Sequence, residues 1–288
     1  MKSLCRRALA PLALTLITTA QAVACPSDEE ARSVAQAVVS GTMIAPPAAK
    51  LSPADAACGR DKLVRNLEAS LGRVAGYKAG LTNPAAQKAF GMSEPMRGVL
   101  FEKMLVREGP SVSIGTAPSV LFEADLIVEV GDASINAATT PLEVLRAVKA
   151  FYPFIEVPWA PFSAPLPSYG TNLLYANVAA YRGVLGKPFT IEPTPAGVGA
   201  LAAMTVTLFD AGGAQLDSGK GEALMGNPLN VVMWIAADLR KSGQSLKPGD
   251  LLSLGTFSRL HPARIGTSAR VRYEGVPGNP EVTATFAQ

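Results

Sequence analysis

Residues 121–130 read LFEADLIVEV. The run is apolar enough for a buried strand, yet it carries Glu123 and Asp125. In an extended chain, residues two apart point to the same face, roughly 7 Å from each other. Two acids side by side on an apolar strand repel each other and resist desolvation, so something must compensate them. A third acid, Glu156, stands in a second apolar run, FIEVPW (154–159). Three carboxylates on two buried strands can be compensated by a divalent cation, and hard oxygen ligands suit Mg²⁺, Mn²⁺ or Ca²⁺. The residues leave a second arrangement open, in which Glu123 and Asp125 face solvent on an edge strand. Glu129 has the same parity but lies too far along the strand to join them. It reads as a surface or salt-bridge residue.

The surrounding pattern sets the fold class. Strand-like runs separated by turns follow one another from Val120: SVLFEADLIVEV, FIEVPW, YANVAAYRGVLG, MTVTLFDAGG, LLSLGT, TSARVRYEG and EVTATFA. Two helical stretches interrupt them, TPLEVLRAVKAFY and NPLNVVMWIAADLRKSG, the second capped by Asn227 and ended by Gly243. Before Val120 the order is helix, helix, short strand (RVAGYKAGL) and brief helix (TNPAAQKAFG). The first helix opens on a capping box, Ser27 with Glu30. The second has Ser52 as N-cap and Pro53 in its first turn. Segregated helices with irregular alternation predict an α+β fold rather than a doubly wound sheet. The expected division is a leader over 1–24, an N-terminal helical and α+β portion over 25–115, and a core over 116–288.

The chain has 288 residues, ample for a sizeable core. Lys2, Arg6 and Arg7 precede the apolar run ALAPLALTLITTA and the small-residue pattern Ala20-Gln21-Ala22. That is the pattern of a cleaved secretory signal, too short and too interrupted for stable membrane insertion. Cleavage is expected near Ala22 or Ala24, giving a periplasmic or secreted protein. AVAC, ending at Cys25, also resembles a lipidation site, with Ala22 where a larger aliphatic residue is usual. The formal charge of +3 falls to near zero without the leader's three cations. No basic cluster with interleaved aromatics points to nucleic acid. Cys25 and Cys58 remain once Cys5 has left with the leader, and in an oxidising compartment they form a candidate disulfide. Neither has the spacing of a zinc or redox site.

A resemblance extends this reading. GYKAGLTNPAAQKAFGMSEPMRGVLFEKM, then FEADLIVEV, FIEVPW and DSGKGEALMGNPLNVVMWIAADLRKSGQSLKPGDLLSLGT resemble the 2-keto-4-pentenoate hydratases and 4-oxalocrotonate decarboxylases of the fumarylacetoacetate hydrolase superfamily. The likeness spans roughly residues 27–287, with several motifs in order. It implies the fumarylacetoacetate hydrolase-like mixed β core with N-terminal helices, and a Mg²⁺ (or Mn²⁺) ion on Glu123, Asp125 and Glu156, Asp125 being one methylene shorter than the family's usual Glu. It also implies Lys78 beside the acid end of a small 2-oxo acid, with Leu81, Thr82 and Asn177 as substrate-binding positions, and a possible homo-oligomer for which the residues carry no independent sign.

Two departures count against an intact hydratase. The family's Pro-Asp-x-Gly, whose acid moves protons, is here Pro95-Met96-Arg97-Gly98, and methionine transfers no proton. The family's Asp-Asn is Ala176-Asn177, and the loop APFSAPLPSYGTNLLY lacks the family's polar pattern. Glu94 and Glu102 are near in sequence but make weak substitutes. His261, the only histidine, reads as a loop residue, and Ser258 lacks a nucleophile elbow. GKGEALMG lacks the Walker spacing, Trp234 reads as core and Trp159 as pocket rim. The resemblance implies a metal-dependent lyase of hydratase or decarboxylase type acting on 2-oxo (enol) acids. The other readings kept open are an acylpyruvate C–C hydrolase or tautomerase, and an exported protein that binds a 2-oxo acid without turnover.

Overall fold

The computed structural model describes residues 25–288 apart from 49, 108–110 and 164–169. The leader, its cleavage site and the middle of the 160–175 loop lie outside the described residues.

Helices α1 (Asp28–Ser40) and α2 (Pro53–Leu71) lead into β1 (Val74–Gly80), α3 (Pro84–Ala89), β2 (Met96–Phe101), β3 (Leu105–Arg107) and β4 (Val112–Ser113). There follow β5 (Leu121–Val130), α4 (Pro141–Arg146), β6 (Val148–Val157), α5 (Gly170–Tyr175), β7 (Arg182–Leu185) and α6 (Pro195–Ala203). The chain ends with β8 (Thr205–Asp210), β9 (Gln215–Lys220), α7 (Pro228–Lys241), β10 (Leu251–Ser253), β11 (His261–Pro262), β12 (Ser268–Glu274) and β13 (Glu281–Ala287).

The LFEADLIVEV run forms β5, the centre of the larger sheet. That sheet runs β2-β1-β10-β5-β6-β7-β3, with β11 also against β5. β5 is buried on both faces from Phe122 to Val130, so the edge-strand arrangement is excluded. A five-stranded sheet, β4-β13-β12-β8-β9, packs its β12 and β13 against β6. β1 and β2, from the 25–115 portion, share the larger sheet with β5, β6 and β10 from the 116–288 portion. The fold is α+β.

Local chemistry explains the helices. Ser27 and Glu30 exchange both capping-box bonds, and Gly41 closes α1 at φ 69°. Ser52 caps α2 through the Asp55 N–H, with Pro53 in its first turn. Leu63, Leu67 and Leu71 then recur at intervals of four on its buried face. Cys25 and Cys58 form a disulfide across a separation of 33 residues, tying the start of the described chain to α2. One core cluster lies under α1, α2 and α5; the other joins β5, α7 and the smaller sheet.

The helix expected from TPLEVLRAVKAFY stops at Arg146, and Val148 already belongs to β6. Thr140 and Glu143 form its capping box as a helix start should. The following VKAFYPFIEV is apolar and aromatic, pairs with β5 along its length, and contains Pro153, which a helix interior excludes. Cross-strand pairing overrides the local helical pattern.

Candidate active site

Register brings the acids together. Glu123 of β5 lies directly opposite Glu156 of β6, so their side chains share one face of the antiparallel pair. Lys78 of β1 reaches the same point and donates from Nζ to Glu156 Oε1. All three line one pocket of about 730 Å³. Glu156 Oε2 is buried without a hydrogen-bond partner, a costly state for a carboxylate oxygen.

The charges do not balance. Glu123, Asp125 and Glu156 are buried beside one lysine. Burial, then the Glu156 charge, pushes the Glu123 carboxyl well above the usual carboxylate range. Burial and Glu156 likewise raise Asp125 to about 8, against the lowering effect of its bonds from Ser253 and Leu126. Burial opposes the charge on Lys78, but Glu156, Glu123 and Asp125 together outweigh it and hold its pKa above the ordinary lysine value. Three buried acids beside one lysine, with one Glu156 oxygen unspent, are a set in which Glu123 and Glu156 could hold a divalent cation.

Asp125 departs from the sequence reading. Its carboxylate does not line the pocket. Oδ1 accepts from the backbone N–H of Leu126 (2.5 Å), Leu254 (3.2 Å) and Gly255 (2.9 Å), and Oδ2 from the Ser253 hydroxyl. The short side chain is spent on the turn after β10. Consistent with this, no group of three or more Asp, Glu, His or Cys side chains among the described residues is arranged as a metal cage. Gly255 makes the turn at φ 106°, and a Cβ there would lie 2.6 Å from Thr82 Oγ1. Tyr273 donates from below to the Asp125 carbonyl and accepts from the Phe154 N–H at 3.1 Å, fastening the smaller sheet to β5 and β6.

Asn177 is also placed differently from the expectation. It is 1% exposed, and its amide accepts from the Val99 N–H (2.7 Å) and donates to the Val99 carbonyl (2.8 Å). It thereby pairs the free edge of β2, as another strand would. Asn177, Val178 and Ala179 all have φ near +55°, at 56°, 54° and 56°. Val178 and Ala179, not Asn177, face the pocket. Gly98 makes room for this turn, since a Cβ there would meet the Asn177 carbonyl at 2.7 Å. Leu81 and Thr82 do line the pocket.

Met96 stands opposite Gly80, and Gly98 opposite Lys78, so Met96 is on the Lys78 face of the sheet, one same-face pair away. It is buried but does not line the pocket. Arg97 points the other way, to Asp238 of α7 at 2.7 Å. Glu94 pairs with Lys241, and Glu102 with Arg73, both at the surface. Glu129 binds Lys149 (2.8 Å) and Tyr152 (2.6 Å). Trp159 lines the pocket, its indole donating to the Pro118 carbonyl at 2.8 Å. Trp234 packs half-buried against the core. His261 lies in the two-residue β11, its ring 5.7 Å from Phe122, rather than in an open loop.

Sequence reasoning missed Ser253 and Tyr273. Ser253 had a visible sign: a hydroxyl in the apolar run LLSL needs a buried partner. Tyr273 had none, since its strand is distant in sequence and alternates like any other.

No protein-family model matches the chain. Among curated proteins it is similar to the TodF product hydratase of Pseudomonas putida, 27% identical over 223 residues, covering 75% of this chain and 77% of that protein. It is 26% identical over 253 residues to the 2-keto-4-pentenoate hydratase of Paraburkholderia xenovorans, covering 86% and 91%. The chain is thus similar in sequence to 2-keto-4-pentenoate hydratases and to a 4-oxalocrotonate decarboxylase. In three dimensions it superposes on the 4-oxalocrotonate decarboxylase from Pseudomonas putida G7 complexed with magnesium and adipate, with TM-score 0.77 and 22% identity over 92% of this chain and all of that one. The fold is thus the fumarylacetoacetate hydrolase-like one.

Proposed function

We propose that this hydratase and decarboxylase relative is a divalent-metal-dependent lyase acting on 2-oxo acids in their enol form, of the kind met in the breakdown of aromatic compounds. The observation that carries the reading is the buried, partnerless Glu156 oxygen facing Glu123 across the strand pair, beside a single lysine. A structural relative of this fold was solved with magnesium, which supports the same class of ion here without choosing between Mg²⁺ and Mn²⁺. Glu123 and Glu156 would hold such an ion, which would supply charge stabilisation where negative charge develops on a 2-oxo acid. Lys78 holds Glu156 in place and sets a positive charge at the carboxylate end of the substrate. The backbone turn at Leu81 and Thr82 walls the same end. Asp125 fixes the β10 turn and keeps Gly255 against Thr82.

Hydration also needs a proton delivered, a contribution of typically 10²–10⁴-fold. Met96 replaces the acid expected for that step and cannot perform it. This favours slow turnover, or capture of the acid without turnover, as the second reading. The test uses purified protein with Mg²⁺ and 2-hydroxypenta-2,4-dienoate, following loss of the dienol absorbance. Metal-dependent loss that increases in Met96→Asp supports the lyase. Thermal stabilisation by pyruvate and Mg²⁺ without turnover supports capture. Neither response, with or without metal, overturns both.

Export is part of the proposal. The leader pattern of residues 1–24 and the Cys25–Cys58 disulfide support a periplasmic or secreted protein. Cell fractionation with mass measurement of the mature N-terminus tests it. Recovery of the uncleaved, reduced chain from the cytoplasm would count against it.

A further inference from the structure

The turn after α5 puts three consecutive residues, Asn177, Val178 and Ala179, in the left-handed region. L-residues visit that region singly, and for a β-branched residue it is a genuine outlier. The turn is nevertheless buried and fastened, since the Asn177 amide makes two bonds to Val99 of β2. Its effect is to turn Val178 toward the strand pair that carries Lys78. Gly98 lies directly opposite Lys78, and Gly80 follows two residues along β1 on the same face. A Cβ at Gly80 would collide with Val178 Cγ1, and one at Gly98 would lie 3.2 Å from Val178 Cβ and 2.9 Å from Lys78 Cγ. One valine thus fills the room that two missing side chains leave beside the lysine stem. Outliers of this kind persist where the surrounding structure enforces them, and they gather at working sites.

Resting on the proposed function, we infer that Val178 is a positioning residue for Lys78, held in its left-handed conformation by Asn177. With the Gly80 and Gly98 side filled, the flexible lysine stem is directed toward Glu156, where Nζ donates to Oε1. A lysine ordered during folding need not be ordered again when a ligand binds, and the ligand keeps that part of its binding energy. Val178 and Lys78 both line the pocket, so the filled side belongs to the wall that meets the ligand's acid end.

The test joins calorimetric titration of the full chain with pyruvate in saturating Mg²⁺ to nitrogen-15 spectra of its lysine Nζ groups. The Lys78 signal is the one lost in Lys78→Met, and in the wild type it should exchange slowly with water. Val178→Ala should weaken pyruvate binding about two- to twelvefold, the cost of ordering one lysine side chain on binding, and should speed Nζ proton exchange by about the same factor. Val178→Gly makes a deeper truncation with no backbone strain and should do the same. Val178→Thr, which keeps the branched shape, should restore both readouts. Val144→Ala makes the same truncation at a buried position of α4 outside the pocket and should move neither. No slowly exchanging Lys78 signal in the wild type, unchanged readouts in both Val178→Ala and Val178→Gly, no rescue by Val178→Thr, or an equal loss in Val144→Ala would each overturn the inference while leaving the 2-oxo-acid site standing. A wild type that binds no pyruvate, with Nζ exchange responding as expected, would overturn the 2-oxo-acid reading and leave the positioning of Lys78 in place.

Discussion

Replacing Lys78 with Met should unbalance the site more than any other single change. Lys78 is 4% exposed, Glu156 2% and Asp125 0%, so water cannot take over the lost charge. An exposed ion pair contributes about 0–1 kcal/mol, but removing one partner of a buried pair costs about 3–5 kcal/mol, because the other charge stays behind. Here the remaining groups are Glu156, with one oxygen already partnerless, and Glu123 directly opposite it. For a chain of this size a loss of 1 kcal/mol lowers the melting temperature by about 2–4 °C, so Lys78→Met should melt roughly 10 °C lower in EDTA. Methionine keeps the length of the side chain, so little of the loss comes from packing. The decisive arm adds Mg²⁺. An ion binding Glu123 and Glu156 restores the missing positive charge, and a ligand at a hundred times its Kd contributes about 2.7 kcal/mol. The rise in melting temperature with Mg²⁺ should therefore be larger in the variant than in the wild type. Melting within 2 °C of wild type in EDTA, or equal Mg²⁺ shifts in both proteins, would refute the charge argument.

Other changes separate structure from ligand binding. Asp125→Ala leaves the Leu254 and Gly255 N–H groups and the Ser253 hydroxyl without their acceptor, at about 1–3 kcal/mol for each group left unpaired. It should melt well below wild type, whereas Glu123→Gln should fold normally and lose the Mg²⁺-dependent rise in thermal shift. Cys58→Ser opens a 33-residue separation and should cost about 3–4 kcal/mol. Reduced wild type should melt with the variant, and a reduced protein as stable as the oxidised one would count against the bridge. Burial works against ionising Glu129, but its bonds from Lys149 and Tyr152 prevail and hold its pKa below the usual value. Its stabilisation is therefore fully present above the unfolded carboxylate pKa, about 4.3, and is lost as pH falls through the folded value. Urea unfolding should show a wild-type advantage over Glu129→Gln that is flat from pH 7 to 5 and shrinks below pH 4; an advantage growing with acid would contradict this.

How the site is built was partly legible in the chain. Glu123 and Glu156 stood out because acids inside apolar runs need compensation, and that argument requires only composition and the two-residue strand period. Lys78 was visible through its motif. Asp125 was misjudged because spacing gives the face of a strand but not the destination of a carboxylate. That destination depends on a turn more than a hundred residues later, where Ser253 and two N–H groups wait for it. Asn177 was misjudged for a similar reason. Only the assembled sheet shows that β2 is an edge, and an edge N–H and C=O claim an amide wherever one lies opposite.

The sequence by itself determined the local decisions: helices starting at Ser27, Ser52 and Asn227, strands with apolar faces, acids where apolar residues belong, and the α+β class. These follow from capping, periodicity and burial cost, which act over a few residues. Tertiary structure alone decided that VKAFYPFIEV extends β6 instead of the helix before it, and that Glu123 meets Glu156 while Asp125 turns away. Those outcomes depend on register and on which strands become neighbours, and pairing across a sheet is set by groups far apart in the chain.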